Sequence, residues 1–494
     1  MRARSSIVRS GRAIRMLEDL EPQQVFRYFE ELTKIPRCSG DEQRVSDYLV
    51  AFAKGRDLEV IQDDALNVVI KKPGTAGYES SGAVIVQGHM DMVCEKTSAS
   101  DHDFGKDPLS LKIDGDFVRA DGTTLGADNG IAVAYGLALL DSADVVHPPI
   151  ELLVTTSEET GMDGALALSP DHVTGKTLLN IDSEEEGVFF VSCAGGLNLT
   201  VEFDSGWEPA TNGALALEVS GLKGGHSGVE IDKQRANAIK LLGRVLDASR
   251  EAGQFNLAAI AGGSKSNAIA REARATITAG ADVLGAIGSI VERLAAEVKL
   301  EFAVADADVR VTTSPAEKPA RQLDLVSTEK IVDFLAIAPH GVQSMSKELE
   351  GLVESSLNLG VLEQSGDQIV LTISVRSSVS SIREDITRRL EVLARMVGAK
   401  SARTAEYPAW RYEPDSKIRE LCLKAYKTVT GREARVGALH AGLECGLLKE
   451  TLPETDMISF GPNLYDVHTP DEHLSISSVA NTWAFLKSVL AESR

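Results

Sequence analysis

The feature that most constrains the fold is an apolar stretch that ends in a histidine and an aspartate. Residues 83–86 are all apolar and lead into Gly88, His89 and Asp91. Such a run without alternation is typical of a strand buried on both faces, as in a parallel sheet. Side chains two apart on a strand point the same way, so His89 and Asp91 should leave the strand end together. Asp91 could orient a metal-binding His89, but a hydrogen-bonded histidine beside a solvated aspartate fits this pattern too.

Two further apolar runs also end in acidic residues. Residues 149–156 lead into Glu158 and Glu159, and residues 177–181 lead into Asp182. Each acid alone could be a solvated loop residue, but their recurrence at the ends of buried strands indicates a shared purpose. Strands that alternate with helices predict an open α/β sheet, whose ligands bind beyond the carboxyl ends of the strands.

Two more candidates lie outside these strand ends. Asp128 directly precedes the apolar segment 131–140, which is predicted to be a helix, so Asp128 could bind a ligand or simply cap the helix. His468 lies near the end of the chain in a loop that Pro470 is expected to make rigid.

Charge and composition limit the partners of this chain. Its 494 residues include 51 basic and 73 acidic side chains, a formal net charge of −22, which argues against nucleic acid as a partner. No apolar run approaches the ~18 residues of a membrane span, so no membrane association is expected. The odd number of scattered cysteines, five, argues against a disulfide framework and predicts a reducing, cytoplasmic location.

The sequence also predicts an interrupted domain. After about Gly195, strand-like runs alternate with amphipathic helices up to residue 403, which indicates an α+β insert that we interpret as a lid. We therefore predict a catalytic domain formed by residues 16–196 and 405–494, with the lid at 197–404. The Arg-rich residues 1–15 are interpreted as a disordered or non-native extension before Met16. The strand-like runs of the insert are Ala214 to Val219, Ala268 to Thr278, Glu301 to Val304 and Gln368 to Val375.

The candidate ligands are two histidines and several carboxylates, with no cysteine. Such a set suits Zn²⁺, and it would also bind Mn²⁺ or Co²⁺, with less selectivity. A pair of metal ions ~3.5–4 Å apart needs one bridging carboxylate and separate ligands for each ion. A spare glutamate beside such a site can take a proton from an activated water and pass it to a leaving amine. The residue set therefore fits the hydrolysis of an amide bond.

Five motifs, in this order, resemble metallopeptidase family 20, and within it most closely the aminoacyl-histidine dipeptidases, which are carnosinase-like. The resemblance runs from about residue 20 to the end of the chain. The motifs are residues 88–96, 125–130, 156–161, 180–187 and 440–446.

The resemblance implies a role for each matching residue of the catalytic domain. His89, Asp128 and Asp182 would bind one zinc ion. Asp128, Glu159 and His468 would bind the other, with Asp128 as the bridge. Asp91 would orient His89, Glu158 would act as general base and acid, and the peptide bond after Asp128 would be cis.

In the insert and the last segment the resemblance rests on shorter motifs. His226, in a Gly-rich loop that could also be a plain surface turn, would stabilise the developing oxyanion, in some family members from the partner subunit. Asn267 and Arg376 would contact the carboxylate end of the substrate, for which a guanidinium fork is suited. His440 would also bind substrate.

The implied fold is an α/β zinc-peptidase domain with a mixed, mostly parallel sheet flanked by helices and interrupted by the lid. The implied activity is hydrolysis of unblocked dipeptides, including Xaa-His, with a possible homodimer through the lid. A tripeptidase or an N-acyl amino-acid deacylase is the near alternative. A peptide binder without catalysis is the more distant one, and the presence of both Asp91 and Glu158 argues against it.

Overall fold

The computed structural model describes residues 16–494, so the prediction for residues 1–15 lies outside the described residues. The chain divides into two compact units. Of the described residues, the first unit comprises 16–191, 413–437 and 447–494, and the second comprises 192–412 and 438–446. The predicted boundaries at 196 and 404 differ from these because Cys193 and Trp410 exchange backbone hydrogen bonds of 2.9 and 3.1 Å inside the second unit.

The secondary structure follows the predicted alternation of strands and helices. Up to residue 193 the helices and strands are, in chain order, α1 (Gln23–Leu32), α2 (Gln43–Lys54), β1 (Glu59–Gln62), β2 (Val68–Lys72), β3 (Val84–His89), β4 (Leu111–Asp114), β5 (Phe117–Ala120), α3 (Ala127–Asp141), β6 (Ile150–Thr155), α4 (Asp163–Ala167), β7 (Thr177–Asn180) and β8 (Val188–Cys193). From residue 195 to 407 they are β9 (Gly195–Phe203), β10 (Trp207–Pro209), β11 (Gly213–Ser220), α5 (Ala238–Ser249), β12 (Asn256–Gly262), β13 (Ala273–Ala279), α6 (Ala281–Glu301), β14 (Arg310–Ala316), β15 (Arg321–Leu323), α7 (Leu325–Ile337), β16 (Gly341–Met345), β17 (Val353–Ser365), β18 (Gln368–Ser377), α8 (Ser380–Met396) and β19 (Lys400–Tyr407). The remaining elements are α9 (Lys417–Thr430), β20 (Arg435–Leu439), α10 (Glu444–Thr451), β21 (Asp456–Ser459), β22 (Leu464–Tyr465), β23 (His473–Ser475) and α11 (Ile476–Glu492).

The main sheet of the first unit is mixed, with a parallel centre. Its strand order is β1-β2-β6-β3-β7-β21-β8-β20. The pairs β6/β3, β3/β7 and β7/β21 are parallel, whereas β1/β2, β2/β6 and β21/β8 are antiparallel. All six residues of β3 are buried, as the apolar run predicts. Because β3, β6 and β7 are parallel, their carboxyl ends lie at one edge of the sheet, with His89 opposite Thr155.

Gly88 allows α3 to approach the end of β3. A Cβ atom at this position would lie 2.4 Å from Asn129 Oδ1 and 2.5 Å from the Cβ of Ala132. The second of these atoms is fixed to a helical backbone and cannot move aside without shifting α3. A glycine is therefore required where the strand that carries His89 meets the helix that follows Asp128.

The Gly88→Ala variant is expected to lose about 1–3 kcal/mol of unfolding free energy, as overpacked cores do. Urea denaturation followed by circular dichroism measures the loss. Gly82→Ala is the matched control, because a Cβ there would meet no atom within 4 Å. Equal stability of the two variants would contradict the close approach described here.

The second unit is built on one large sheet, and β10 pairs with β15 in a separate two-stranded sheet. Nine strands pair in the order β14-β11-β13-β12-β17-β18-β9-β19, with β16 added beside β17, and the neighbouring pairs are antiparallel. Apolar side chains of the sheet and of α5 to α8 form one core, including Leu199, Ile277, Leu371, Leu242, Phe334 and Leu390. The predicted strand at Glu301 to Val304 is wrong, because α6 continues to Glu301 and Val304 is 95% exposed.

The odd number of scattered cysteines argued against a disulfide framework, and the described residues contain one disulfide. Cys38 and Cys94 form a disulfide with their Cα atoms 5.7 Å apart, although 56 residues separate them in the sequence. A β-bridge between Cys38 and Met92 brings the two segments together. Cys193, Cys422 and Cys445 are buried, and none of the three is part of a disulfide. Among residues 16–494, no helix combines the length and apolarity needed to span a bilayer.

Candidate metal centre

The histidine and carboxylates at the strand ends of the first unit lie together. His89 Nε2, at the end of β3, is 3.3 Å from Asp128 Oδ1 and 3.5 Å from Asp182 Oδ1. His468 Nε2 is 3.1 Å from Asp128 Oδ2 and 3.0 Å from Glu159 Oε2. These distances define two groups of three potential metal-ligand atoms, and the atoms of each group lie within 4.8 Å of one another: His89, Asp128 and Asp182, and Asp128, Glu159 and His468.

Asp128 is the member shared by both groups, with one carboxylate oxygen facing each histidine. It does not cap α3 with its side chain: the N-cap residue is Gly126, and Asp128 has non-helical backbone angles of φ −78° and ψ 108°. The peptide bond between Asp128 and Asn129 is cis, as the resemblance implies. The side chain of Asn129 accepts from the backbone N–H of His89 at 3.2 Å and donates to Ile181 O at 2.8 Å. Asn129 thus connects α3 to the ends of both β3 and β7.

Asp91 lies behind His89 and is fully buried. Its Oδ1 is 3.2 Å from His89 Nδ1, and its Oδ2 accepts a 2.7 Å hydrogen bond from the Ser39 hydroxyl. The backbone N–H groups of Glu158 and Glu159 also donate to this carboxylate, at 3.1 and 3.2 Å. Burial opposes the charge of Asp91, but these partners outweigh burial and lower its pKa to about 2. Asp91 therefore stays ionised and connects the end of β3 to the loop after β6.

Glu158 lies beside these groups. Its Oε2 is 3.9 Å from His89 Nε2, and its side chain is 15% exposed. Glu158 also completes a third group of potential ligand atoms, with His89 and Glu159. Two roles are therefore open to Glu158 on geometry: a ligand, or an acid–base group next to the ligands.

The electrostatics of the centre favour a bound cation. Burial, together with the charges of Asp128 and Glu159, raises the pKa of Asp182 to about 6, although His89 acts in the opposite direction. The hydrogen bonds of His468 to Asp128 and Glu159 raise the pKa of this imidazole to about 11. Three carboxylates, those of Asp128, Asp182 and Glu159, thus lie within 3.5 Å of only two imidazoles, in a largely buried space. Nitrogen and oxygen donors in this arrangement fit divalent ions such as Zn²⁺.

In the second unit, three of the four residues to which the resemblance assigns a role influence one another electrostatically: Arg376, His440 and His226. Arg376 is buried and donates to the Tyr407 hydroxyl at 2.5 Å. It lies opposite Ser356 across β17 and β18, and the Ser356 hydroxyl is 2.7 Å from His440 Nε2. Burial and the positive charge of Arg376 lower the pKa values of His440, to about 3, and of His226.

The tautomer of His226 follows from its contacts. The Nδ1 atom of His226 accepts from the backbone N–H groups of Gly228 and Val229, both at 3.1 Å. In the neutral ring the proton is therefore on Nε2, which can donate a hydrogen bond. Asn267, the fourth predicted residue, has an exposed side chain, and its backbone carbonyl accepts from Ser227 N at 2.8 Å.

Sequence reasoning missed four residues that support the centre. Ser39 bonds Asp91, Asn129 spans two strand ends, and Arg37 and Glu472 contact the segment before Asp128. Asn129 lies in the motif at residues 125–130, and Glu472 lies four residues after His468, so their proximity to predicted site residues was a signal in the sequence. Arg37 and Ser39 lie in a loop whose sequence gives no such signal.

The chain belongs to the peptidase family M20/M25/M40, which it matches over residues 85–492. It is thus a metallopeptidase, a hydrolase whose family depends on metal ions.

Individual relatives agree with this membership. The chain is 38% identical over 478 residues to the cytosol non-specific dipeptidase of Escherichia coli, covering 96% of this chain and 99% of the relative. Among solved structures, the aminoacylhistidine dipeptidase from Vibrio alginolyticus superposes with a TM-score of 0.91 at 36% identity, covering 97% of this chain and 98% of that one. An aminopeptidase from Bacillus cereus, with a TM-score of 0.56, 14% identity and coverages of 96% and 99%, shares the fold.

Proposed function

We propose that this protein is a di-zinc dipeptidase that hydrolyses unblocked dipeptides, including those that end in histidine. The single observation that carries the proposal is that Asp128 belongs to two ligand groups, one with His89 and Asp182 and the other with Glu159 and His468. One carboxylate between two otherwise separate ligand sets is what a pair of ions requires. Mn²⁺ or Co²⁺ would substitute for Zn²⁺, because all the donors are nitrogen or oxygen.

When bound, the ions would polarise the substrate carbonyl and make a water molecule a nucleophile at neutral pH. The residues of the chain supply the proton transfers. Glu158, adjacent to His89 but outside both groups that share Asp128, accepts a proton from water on its carboxylate and delivers it to the leaving amine. Asp91 keeps His89 oriented through its contact with Nδ1.

In the second unit we propose that His226 donates its Nε2–H to the developing oxyanion. Arg376, with Asn267 and His440, would recognise the free carboxylate of the substrate. A homodimer formed through the second unit stays a prediction. We also propose a cytoplasmic location, as the name of the Escherichia coli relative indicates for that protein; a reducing compartment would tend to open the disulfide between Cys38 and Cys94.

The substrate class is tested with a small panel of compounds. The panel contains β-alanyl-histidine, an α-dipeptide without histidine, a tripeptide and an N-acetylated amino acid. The protein is first freed of metal with a chelator and then supplied with zinc, manganese or cobalt. We expect cleavage of both dipeptides with each metal and none in the metal-free protein.

The other outcomes of this experiment would each support a different function or contradict the proposal. Cleavage of only the acetylated compound would identify a deacylase, and a strong preference for the tripeptide would identify a tripeptidase. Two bound metal ions without any cleavage of the panel would favour a non-catalytic peptide binder. Full activity in metal-free protein would contradict the proposal outright.

A further inference from the structure

The carboxylate of Glu472 holds the backbone of the segment that ends in Asp128. Its Oε2 accepts from the N–H groups of Leu125 and Gly126 at 2.7 and 2.9 Å. Its Oε1 accepts from those of Ala127 and Asp128 at 2.8 and 3.2 Å. Glu472 is only 2% exposed. A carboxylate offers about four acceptor positions, so this one is fully used by four consecutive amides.

These amides need a partner because they stand at the start of α3. The first N–H groups of a helix have no acceptor within the helix, and α3 has no side-chain cap of its own. A buried negative charge at this end also interacts favourably with the helix dipole. Glu472 therefore caps α3 in place of a neighbouring side chain, although it lies more than 340 residues further along the chain.

Arg37 holds the same segment from another direction. Arg37 is 2% exposed, and its guanidinium donates to Gly126 O. It also donates to Met90 O at 2.9 Å and to Asp91 O at 3.1 Å, directly after the strand that carries His89. Gly126 has a φ of +65°, and a Cβ there would lie 2.5 Å from the Arg37 guanidinium. The turn before Asp128 is thus fixed on both its N–H and its C=O groups.

Glu472 is also tied to His468. The two residues lie in one short turn, in which Glu472 N donates to Thr469 O at 3.1 Å and Asp471 N donates to the Thr469 hydroxyl at 3.2 Å. His468 has a φ of +62°, a conformation that non-glycine residues adopt only when their surroundings impose it. The side chain that bonds Asp128 N therefore anchors the loop that presents His468 to the Asp128 carboxylate.

We propose that Glu472 is a positioning residue that fixes Asp128 and His468 relative to each other, so that their side chains can share a cation. This inference rests on the proposed function, because it assigns Glu472 a purpose in the metal centre. It extends that function by adding a residue that would touch neither metal nor substrate.

A matched control is available in the same unit. Glu151 is 3% exposed, and its carboxylate accepts from Thr174 N, the Thr174 hydroxyl and Gly175 N at 2.8 to 3.0 Å. Its surroundings resemble those of Glu472, but the segment that it holds carries none of the proposed ligands. A purely structural role predicts the same consequences for the loss of either carboxylate.

The test compares Glu472→Gln with Glu151→Gln by titrating metal-free protein with Co²⁺ and following its visible absorption. We expect Glu472→Gln to bind cobalt ~10–100-fold more weakly than the unaltered protein, the usual effect of losing a group that orients ligands. Its kcat should fall with KM little changed. We expect Glu151→Gln to lose thermal stability while keeping the cobalt affinity and kcat of the unaltered protein.

Equal cobalt affinities in the two variants would overturn the inference. If Glu472→Gln does not fold, Glu472→Asp is used instead, because its shorter side chain keeps the charge but cannot span all four amides. Unaltered cobalt affinity in Glu472→Asp would also overturn the inference. Failure of the unaltered protein to bind cobalt would overturn the proposed metal centre itself, which distinguishes the two failures.

Discussion

Replacing Glu158 with glutamine is expected to reduce dipeptide turnover by ~10²–10⁴-fold, the usual contribution of a general base, while the protein keeps its metal ions. The physical reason is that glutamine nearly preserves the shape of the side chain but cannot accept a proton from water. Glu158 Oε2 is 3.9 Å from His89 Nε2, close to the proposed ions but outside the two ligand groups that share Asp128. Steady-state kinetics and metal analysis of the same preparation measure both quantities.

Glu185→Gln is the control for the loss of one negative charge. Glu185 is an exposed residue, and its Oε2 is 3.2 Å from Arg435 Nη2. This variant should keep its turnover and its metal content. Loss of metal from Glu158→Gln would show that Glu158 acts as a ligand, in the third group with His89 and Glu159. Undiminished turnover would remove Glu158 from the mechanism.

Replacing Asp128 with asparagine is expected to remove both metal ions and to lower turnover to background. Asp128 is the residue common to both ligand groups, so the loss of its charge weakens each of them. The effect should exceed the ~10–100-fold loss of affinity that is typical when a group orienting a ligand is removed. Cobalt titration of metal-free protein gives the affinity and the number of ions bound.

Asp182→Asn supplies the comparison for this prediction. Asp182 belongs to the group with His89 but not to the group with His468. This variant should therefore retain one ion, whereas Asp128→Asn retains none. One ion retained by both variants would contradict a shared carboxylate and would favour two independent sites.

The convergence of the strand-end side chains of the candidate centre could be predicted because these residues follow buried strands. The apolar runs before His89, Glu158 and Asp182 are visible in the sequence, and β3, β6 and β7 are indeed parallel neighbours. Parallel neighbours end at one edge of the sheet, so local pattern and sheet geometry together were enough to expect convergence. The bridging position of Asp128 was implied only by the family resemblance, since the local pattern alone favoured a helix N-cap.

The supporting residues could not be predicted, because their contacts depend on how distant segments meet. Glu472 bonds amides more than 340 residues earlier in the chain, and Arg37 bonds carbonyls at two separate turns. Local periodicity in a sequence does not indicate contacts between segments that are so far apart in the chain. The disulfide between Cys38 and Cys94 was missed for the same reason, because scattered cysteines reveal nothing about spatial proximity.

The wrong strand prediction in the second unit, at Glu301 to Val304, has a different cause. The run from Glu301 to Val304 contains apolar and aromatic residues that are common in strands. In the structure α6 extends to Glu301, and the residues that follow form a turn in which Val304 faces solvent. A single exposed apolar residue is normal on protein surfaces, so it carries no structural signal.

Anomalous diffraction at the zinc absorption edge, from crystals of zinc-loaded protein, would decide whether Asp128 is shared by two metal ions. We expect two peaks ~3.5–4 Å apart on either side of the Asp128 carboxylate. One peak should be coordinated by His89 and Asp182, and the other by Glu159 and His468. A single peak, or peaks that Asp128 does not contact, would contradict the account.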